Sequence, residues 1–416
     1  MSTNHQYFSI NFNYLSPSLF MIKLIFRFNL TGKHLPAIFT SSITSNYNHS
    51  PPKNEPKISQ IIPVNMGIED MEKREETLFN ETFDVITEKL TSTVNPDLRR
   101  VSDWLKKVLV YNVPHGKKNR GMALALAYQV LKKNKKLDSD KSHQARILGW
   151  CIEILQAFFL IHDDIMDQSL TRRGQPCWYK KEDVGLIAIN DGILLNSCIY
   201  KLLKENFSKE PTYSQILDLF HEITDLTIKG QCLDMLNSTP DMKNNPAAFT
   251  EDVYSAIIEY KTAHYSFVLP IRLAFYLVGI VSEEVHAKAE EILLKFGHFF
   301  QVQDDFLDCY GDPSVIGKVG RDIEEGKCCW LFVNALKLCS EEQKKILVDN
   351  YALEDPAAVA KVREIYDQLN MRKVFQDYED ESYKEIKGLI DSFAYSQLVP
   401  LEVFNWLLKK IYRRNK

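Results

Sequence analysis

RILGWCIEILQAFFLIHDDIMD, Arg146–Asp167, decides how the chain is read. From Arg146 to Ile161 the stretch is almost uniformly apolar, as a helix is when it is buried on every side. It then runs into Asp163, Asp164 and Asp167. Residues i and i+4 of a helix stack on one face, with i+3 beside them. Asp163 and Asp167 therefore point together, with Asp164 at their flank. Like charges this close repel, and burial without a partner is costly, so something must neutralise them.

FGHFFQVQDDFLD, Phe296–Asp308, repeats the arrangement. Asp304, Asp305 and Asp308 carry the same spacing and again end an apolar helical run. A single DDxxD is a weak signal, because a solvated acidic helix end looks the same. Two copies, each closing a buried helix, are much stronger. Two such faces opposed across a cavity make an all-oxygen site, which suits a hard cation that keeps waters and bridges to phosphate oxygens: Mg²⁺.

The implied anion has its own partners. Arg172 and Arg173 follow the first acidic motif, HGKKNRG supplies Lys117, Lys118 and Arg120, EYKTA supplies Lys261, and GKVGRDIEEGKCCW supplies Lys318 and Lys327. Any one of these reads as a surface charge. Set against two aspartate clusters, they describe sites for two diphosphates, one bridged by metal and one held by Arg and Lys. Phe158 and Phe159 lie beneath the first motif, Phe159 one turn below Asp163, and are expected to wall an apolar channel as well as pack the core.

The bulk numbers agree with a helical enzyme. The chain has 416 residues, 45% hydrophobic and 25% charged, and a net charge of -4, so nothing global points to nucleic acid. Glycine is sparse, at 16 residues, and long stretches lack proline, which favours helices over a turn-rich β architecture. The eight cysteines show no CxxC pairing and read as reduced thiols.

The N-terminus differs in kind. No Asp or Glu precedes Glu55, while Ser, Thr and Asn abound and Lys23, Arg27, Lys33 and Lys53 add positive charge. Residues 1–65 are expected to be a disordered leader resembling a mitochondrial transit peptide, ending in SPPKNEPK. Its apolar part, LFMIKLIF, is too short and too interrupted to span a bilayer, and no transmembrane segment is expected. Met66 opens MGIEDMEKREE, a second plausible start that would give a cytosolic form. From about residue 70 to 416 the periodicity is helical throughout, with no convincing strand alternation. The expected fold is a single all-α domain.

Taken together, LQAFFL, LTRRGQPCWY, GQCLDM, YKTAHYSFVLP, GDPSVIGKVG and both DDxxD motifs resemble the trans-isoprenyl diphosphate synthases, most closely the farnesyl diphosphate synthases of animals. The resemblance runs from about Leu105 to the C-terminus. It implies the isoprenoid synthase fold, a large helical bundle around a central cavity, and usually a homodimer. It implies that about three Mg²⁺ ions bind an allylic diphosphate between Asp163, Asp167 and Asp304, with Arg172, Lys261 and Lys318 gripping it and Lys327 nearby. Isopentenyl diphosphate is implied on Gly116, Lys117, Arg120, Gln156 and Arg173. Lys261, Thr262 and Gln301 would shield the allylic cation, Gln231 and Asp234 resemble helix residues near the allylic site, and YRRNK resembles a basic tail over the homoallylic site. Aromatic residues at Phe158 and Phe159 imply a blocked channel and a C15 or C10 product. The implied reaction condenses isopentenyl diphosphate with dimethylallyl and geranyl diphosphate.

Three positions depart from the expected pattern: His115 where a second glycine is usual, His162 where a small residue is usual, and Arg321 in place of a threonine. His162 is expected to narrow the channel mouth. Arg321 is expected either to face the diphosphate or to pair with a local acid. Two alternatives stay open: an insect terpene synthase derived from the same family, which ionises farnesyl diphosphate alone, and a catalytically idle regulatory subunit. The presence of Lys117, Arg120, Gln156 and Arg173 weighs against the first, and two intact aspartate motifs against the second.

Overall fold

The computed structural model describes residues 68–133, 138–238, 245, 248–316 and 319–412. The expected leader, Lys318 and residues 413–416 of the YRRNK tail lie outside them.

The described residues are helical almost throughout. In order they form α1 (Ile68–Thr91), α2 (Arg99–Asn112), α3 (Asn119–Lys132), α4 (Ser139–Met166), α5 (Ala188–Phe207), α6 (Tyr213–Asn237), α7 (Glu251–Ile258), a π-helical stretch (Glu259–Val268), α8 (Leu269–Val278) and α9 (Glu283–Tyr310). Short turns α10 (Pro313–Ile316) and α11 (Asp322–Glu325) lead to α12 (Trp330–Leu338), α13 (Glu341–Asn350), α14 (Pro356–Gln368), α15 (Met371–Asp391) and α16 (Glu402–Ile411).

The opening stretch is the core helix α4. Asp138 caps it by accepting from Asp140 N and Lys141 N. Trp150 is fully buried, stacks on Phe79 at 4.5 Å and donates its indole N–H to the Phe79 carbonyl at 2.7 Å. Helices α3 and α4 cross tightly because both carry glycine at the crossing. A Cβ on Gly121 or on Gly149 would come within 2.7 Å of the other residue's carbonyl oxygen. Two helical spans, Ser139–Met166 and Gly185–Phe207, are long and apolar enough to cross a membrane, but the first is mostly buried inside the bundle.

Beside short 3-10 turns at Pro96–Leu98, Trp178–Lys180 and Gly185–Ile187, two segments that shape the site depart from α-helix. The first is a two-residue antiparallel ladder, Thr171–Arg172 against Gln175–Pro176. Its turn residues Arg173 (φ 54) and Gly174 (φ 73) are both left-handed, as a type I′ hairpin requires. Strands this short leave no alternation to read. The second is the π-helical stretch, where continuous α-helix was expected. Pro270 lacks the N–H that an α-helix would direct at Ser266, and Leu269 N instead reaches back five residues to His264 O. Two glycines seat the widened coil. A Cβ on Gly230 of α6 would lie 2.2 Å from Lys261 N, and one on Gly297 of α9 would lie 2.2 Å from Ala263 Cβ.

Candidate active site

The π-helical stretch lies between the two motif helices, and two consecutive residues show it. Lys261 Nζ lies 3.2 Å from Asp163 Oδ1 on α4, while Thr262 Oγ1 donates to Gln301 Oε1 on α9 at 3.0 Å. Around Lys261 a charge cluster assembles from four elements. Its ammonium also donates to Asp234 Oδ2 at 2.7 Å. Lys327 donates to the same oxygen at 3.1 Å and to Asp167 Oδ1 at 3.0 Å.

Electrostatics follow from that geometry. Burial opposes ionisation of Asp163, but Lys261, Arg172 and Lys327 outweigh it and hold the carboxyl at about 2. Asp234 is lowered in the same way by Lys261 and Lys327. Asp167 is raised, first by burial and then by the Asp163 charge. Burial lowers the Lys261 ammonium, and the carboxylates of Asp163, Asp234 and Asp167 raise it well above the usual lysine value. The carboxylates of the first motif are thus met by three cations, Lys261, Lys327 and Arg172.

The aspartates of each motif do not act alike. Asp164 turns from Asp163 into the core and is gripped by Arg172, whose Nη2 donates to its Oδ1 at 2.6 Å. Asp305 is likewise buried. It accepts from Trp330 N and Tyr254 Oη, both at 2.8 Å, and from Gln301 Nε2 at 2.9 Å. Burial pushes its carboxyl up to about 7 against the pull of these donors. Of the six aspartates expected at one metal site, Asp164 accepts from Arg172 through Oδ1 and Asp305 accepts from protein donors through both oxygens. Asp308 accepts from Asp322 N at 3.0 Å, packed under Gly320.

Among the described residues no three His, Cys, Asp or Glu side chains converge to enclose an ion. The oxygen donors Asp163, Asp167 and Asp304 nonetheless fit Mg²⁺, which keeps several waters and takes one or two carboxylates plus phosphate oxygens. The buried Asp163 Oδ1 faces the Lys261 ammonium at 3.2 Å.

The hairpin turn sends its two arginines apart. Arg172, on the ladder, goes to Asp163 and Asp164. Arg173, at the turn, donates to Asn112 O at 3.1 Å and lies so close to Gly116 that a Cβ there would meet its guanidinium at 2.6 Å. Beside it, Arg120 donates to Tyr265 Oη at 2.9 Å and Ser266 Oγ at 2.8 Å. With its oxygen towards Arg120 Nη1 (2.6 Å), the Gln156 amide donates to Glu153 at 3.2 Å. Lys117 is exposed, whereas Lys118 turns to Asn80 at 3.0 Å.

Some members of this second cluster escaped the sequence reading. Glu153 is buried beneath Arg120 and Arg173 and accepts from Gly121 N at 2.8 Å; burial raises its carboxyl. A lone acid inside CIEILQAFF was the available signal. Asp191 accepts indole N–H bonds from Trp104 (2.8 Å) and Trp178 (2.9 Å), tying the residues after the arginine hairpin to α2 and α5. Nothing local in AINDGILL marks it.

Phe158 and Phe159 are half-buried and adjoin each other at 5.0 Å, with Phe159 edge-on to Tyr265 at 5.4 Å. His162 sits edge-on to Phe158 at 4.9 Å, with Nδ1 2.8 Å from Phe158 O. Its ring occupies the space over Gly192, where a Cβ would lie 2.1 Å from Cε1. Gln231 Nε2 is buried without a hydrogen-bond partner. Arg321 pairs with Glu354 at 3.0 Å and Glu325 at 3.5 Å, the local-acid arrangement. His115 is exposed in the loop before Gly116.

The sequence pattern of the family described as "Polyprenyl synthetase" matches residues 102–369. Farnesyl pyrophosphate synthase of Gallus gallus is 45% identical over 364 residues, 87% of this chain and 97% of the relative. The Homo sapiens protein of that name is 45% identical over 349 residues, 83% of each chain. A solved T. brucei farnesyl diphosphate synthase complexed with risedronate is 32% identical, with a TM-score of 0.75 over 82% of this chain and all of its own.

Proposed function

The chain belongs to the polyprenyl synthetase family, and from that premise we propose that it is a short-chain prenyltransferase, a farnesyl diphosphate synthase condensing isopentenyl diphosphate with dimethylallyl and then geranyl diphosphate. The observation that carries the reading is the pair of separate cationic clusters. Lys261, Lys327 and Arg172 gather at the first aspartate motif, and Arg120 and Arg173 gather around Gln156. Two cationic clusters are what an enzyme with two diphosphate substrates needs.

Asp163, Asp167 and Asp304 would hold Mg²⁺, about three ions by family resemblance, which supplies positive charge to a departing diphosphate. Lys261, Lys327 and Arg172 add fixed positive charge on the same side, with Lys318 by resemblance. The allylic C–O bond breaks heterolytically and its electron pair leaves with the diphosphate. Arg120, Arg173, Gln156 and Lys117 hold isopentenyl diphosphate so that its double bond attacks the allylic carbon. A new C–C bond forms and a proton leaves to the departed diphosphate. Lys261, Thr262 and Gln301 present oxygen dipoles to the cation, and Phe158 and Phe159 block the channel below.

The exposed apolar residues Leu186 and Ile187 in the turn before α5, with Ile189 and Ile193 on α5, support a homodimer through this face. The acid-free leader supports a mitochondrial form, with a cytosolic form starting at Met66. Fractionating cells that express tagged proteins from Met1 and from Met66 tests the two addresses.

Purified protein supplied with Mg²⁺, isopentenyl diphosphate and each of dimethylallyl, geranyl and farnesyl diphosphate tests the function. Farnesyl diphosphate as product upholds it. A cyclised or eliminated hydrocarbon from farnesyl diphosphate alone would mark a terpene synthase, and no turnover an idle subunit.

A further inference from the structure

Thr262, Gln301 and Asp305 form a hydrogen-bond relay whose direction is fixed at its inner end. Asp305 Oδ2 accepts from Trp330 N at 2.8 Å, a main-chain donor that cannot reverse, and from Tyr254 Oη at 2.8 Å. Asp305 Oδ1 faces the Gln301 amide at 2.9 Å. In its ionised form, in which it accepts from all three neighbours, Asp305 offers only lone pairs, so Gln301 presents its NH₂ group to it. The Gln301 oxygen is then turned outward and accepts from Thr262 Oγ1 at 3.0 Å. The single Thr262 proton is thereby committed to Gln301, and the remaining surface of Oγ1 is lone pair only. Thr262 follows Lys261, which grips Asp163 of the first motif.

We propose that Asp305 is a positioning residue for the reaction, setting the polarity of the Thr262–Gln301 pair so that the threonine oxygen offers lone pairs to the developing allylic cation. This rests on the prenyltransferase reading. It separates the adjacent aspartates by role: Asp304 towards metal, Asp305 towards the cation through two side chains. The burial of Asp305, 6% exposed and with both oxygens occupied, has its reason here.

Asp305→Asn tests the relay with almost no change of shape. The Asn oxygen stays on Trp330 N, so its NH₂ group faces Gln301. Gln301 must turn its oxygen inward and its NH₂ onto Thr262, whose proton then points at the cation. The expected result is a fall in kcat of about a hundredfold or more, the scale of a lost preorganised dipole, with KM for both substrates and the half-saturating Mg²⁺ concentration within about twofold of wild type. Asp305→Asn combined with Gln301→Glu restores an acceptor opposite Thr262 and should recover at least about tenfold of the loss. Calorimetry supplies a readout without turnover. An allylic diphosphate analogue with a tertiary ammonium at the cation position should lose affinity for Asp305→Asn, and the neutral analogue should not. A tenfold rise in Mg²⁺ requirement, with kcat recovered at high Mg²⁺, would make Asp305 a metal residue and overturn the relay. So would an unchanged kcat, or equal loss of both analogues. Wild type run alongside separates the two levels: elongation with an unaffected variant overturns the relay alone, whereas no elongation by wild type overturns the prenyltransferase reading with it.

Discussion

Lys261 Nζ lies 2.7 Å from Asp234 Oδ2, and that contact joins the π-helical stretch to α6 at the point where Asp163 also reaches the ammonium. The one ammonium faces two carboxylates, Lys327 and Arg172 supply the further positive charge, and the groups are largely desolvated. Removing the cation leaves two carboxylates in a buried setting.

Lys261→Met should therefore destabilise the ligand-free protein by about 3–5 kcal/mol, the usual result of breaking a buried pair. The deficit should shrink when Mg²⁺ and inorganic diphosphate are added, because the metal takes over the neutralising role. Denaturant unfolding with and without those ligands measures it. An equal deficit in both conditions would show that the carboxylates gain nothing from metal.

Gly230→Ala places a methyl group 2.2 Å from Lys261 N, against backbone that cannot swing away. Overpacking of this kind costs about 1–3 kcal/mol. The displaced residue is Lys261 itself, so kcat should fall at least about tenfold while KM for isopentenyl diphosphate stays near wild type. Steady-state kinetics with each substrate varied separates the two parameters.

Phe158→Ala and Phe159→Ala should each open the channel and shift product beyond C15. Chromatography of the dephosphorylated prenyl alcohols reads the lengths, and C15 unchanged in both variants would remove the floor from these residues. His162 buttresses Phe158 from the side of Gly192. His162→Ala should then raise the C15 share over C10, and an unaltered ratio would leave the histidine a packing role only.

The buried Glu153 predicts a pH effect. Burial raises its folded-state carboxyl above the ordinary value of 4.5. The folded state therefore holds the proton more tightly than the unfolded chain, and stability declines as pH rises from about 4.5 to the raised folded value. Glu153→Gln keeps an oxygen for Gly121 N but removes the titration. Its Tm relative to wild type should rise across that window and level off above it. Parallel Tm curves for the two proteins from pH 4 to pH 8 would show that Glu153 does not titrate there.

Residue spacing alone determined the helices, the two aspartate clusters and the supply of cations. These are local periodicities: an apolar run sets a buried helix, and i, i+4 carboxylates share a face wherever the helix goes. Tertiary structure decided what each member of a cluster does. Asp304 and Asp305 are neighbours in sequence, but only the packing of Trp330 and Tyr254 against α9 commits Asp305 to the interior. Arg172 and Arg173 are chemically identical, and only a left-handed turn sends one to the first aspartate motif and the other to Gly116. The π-helical stretch depends on glycines in two other helices, and Glu153 and Asp191 on partners far along the chain. A charge's role is fixed by its through-space partners, and these meet only once the bundle has closed.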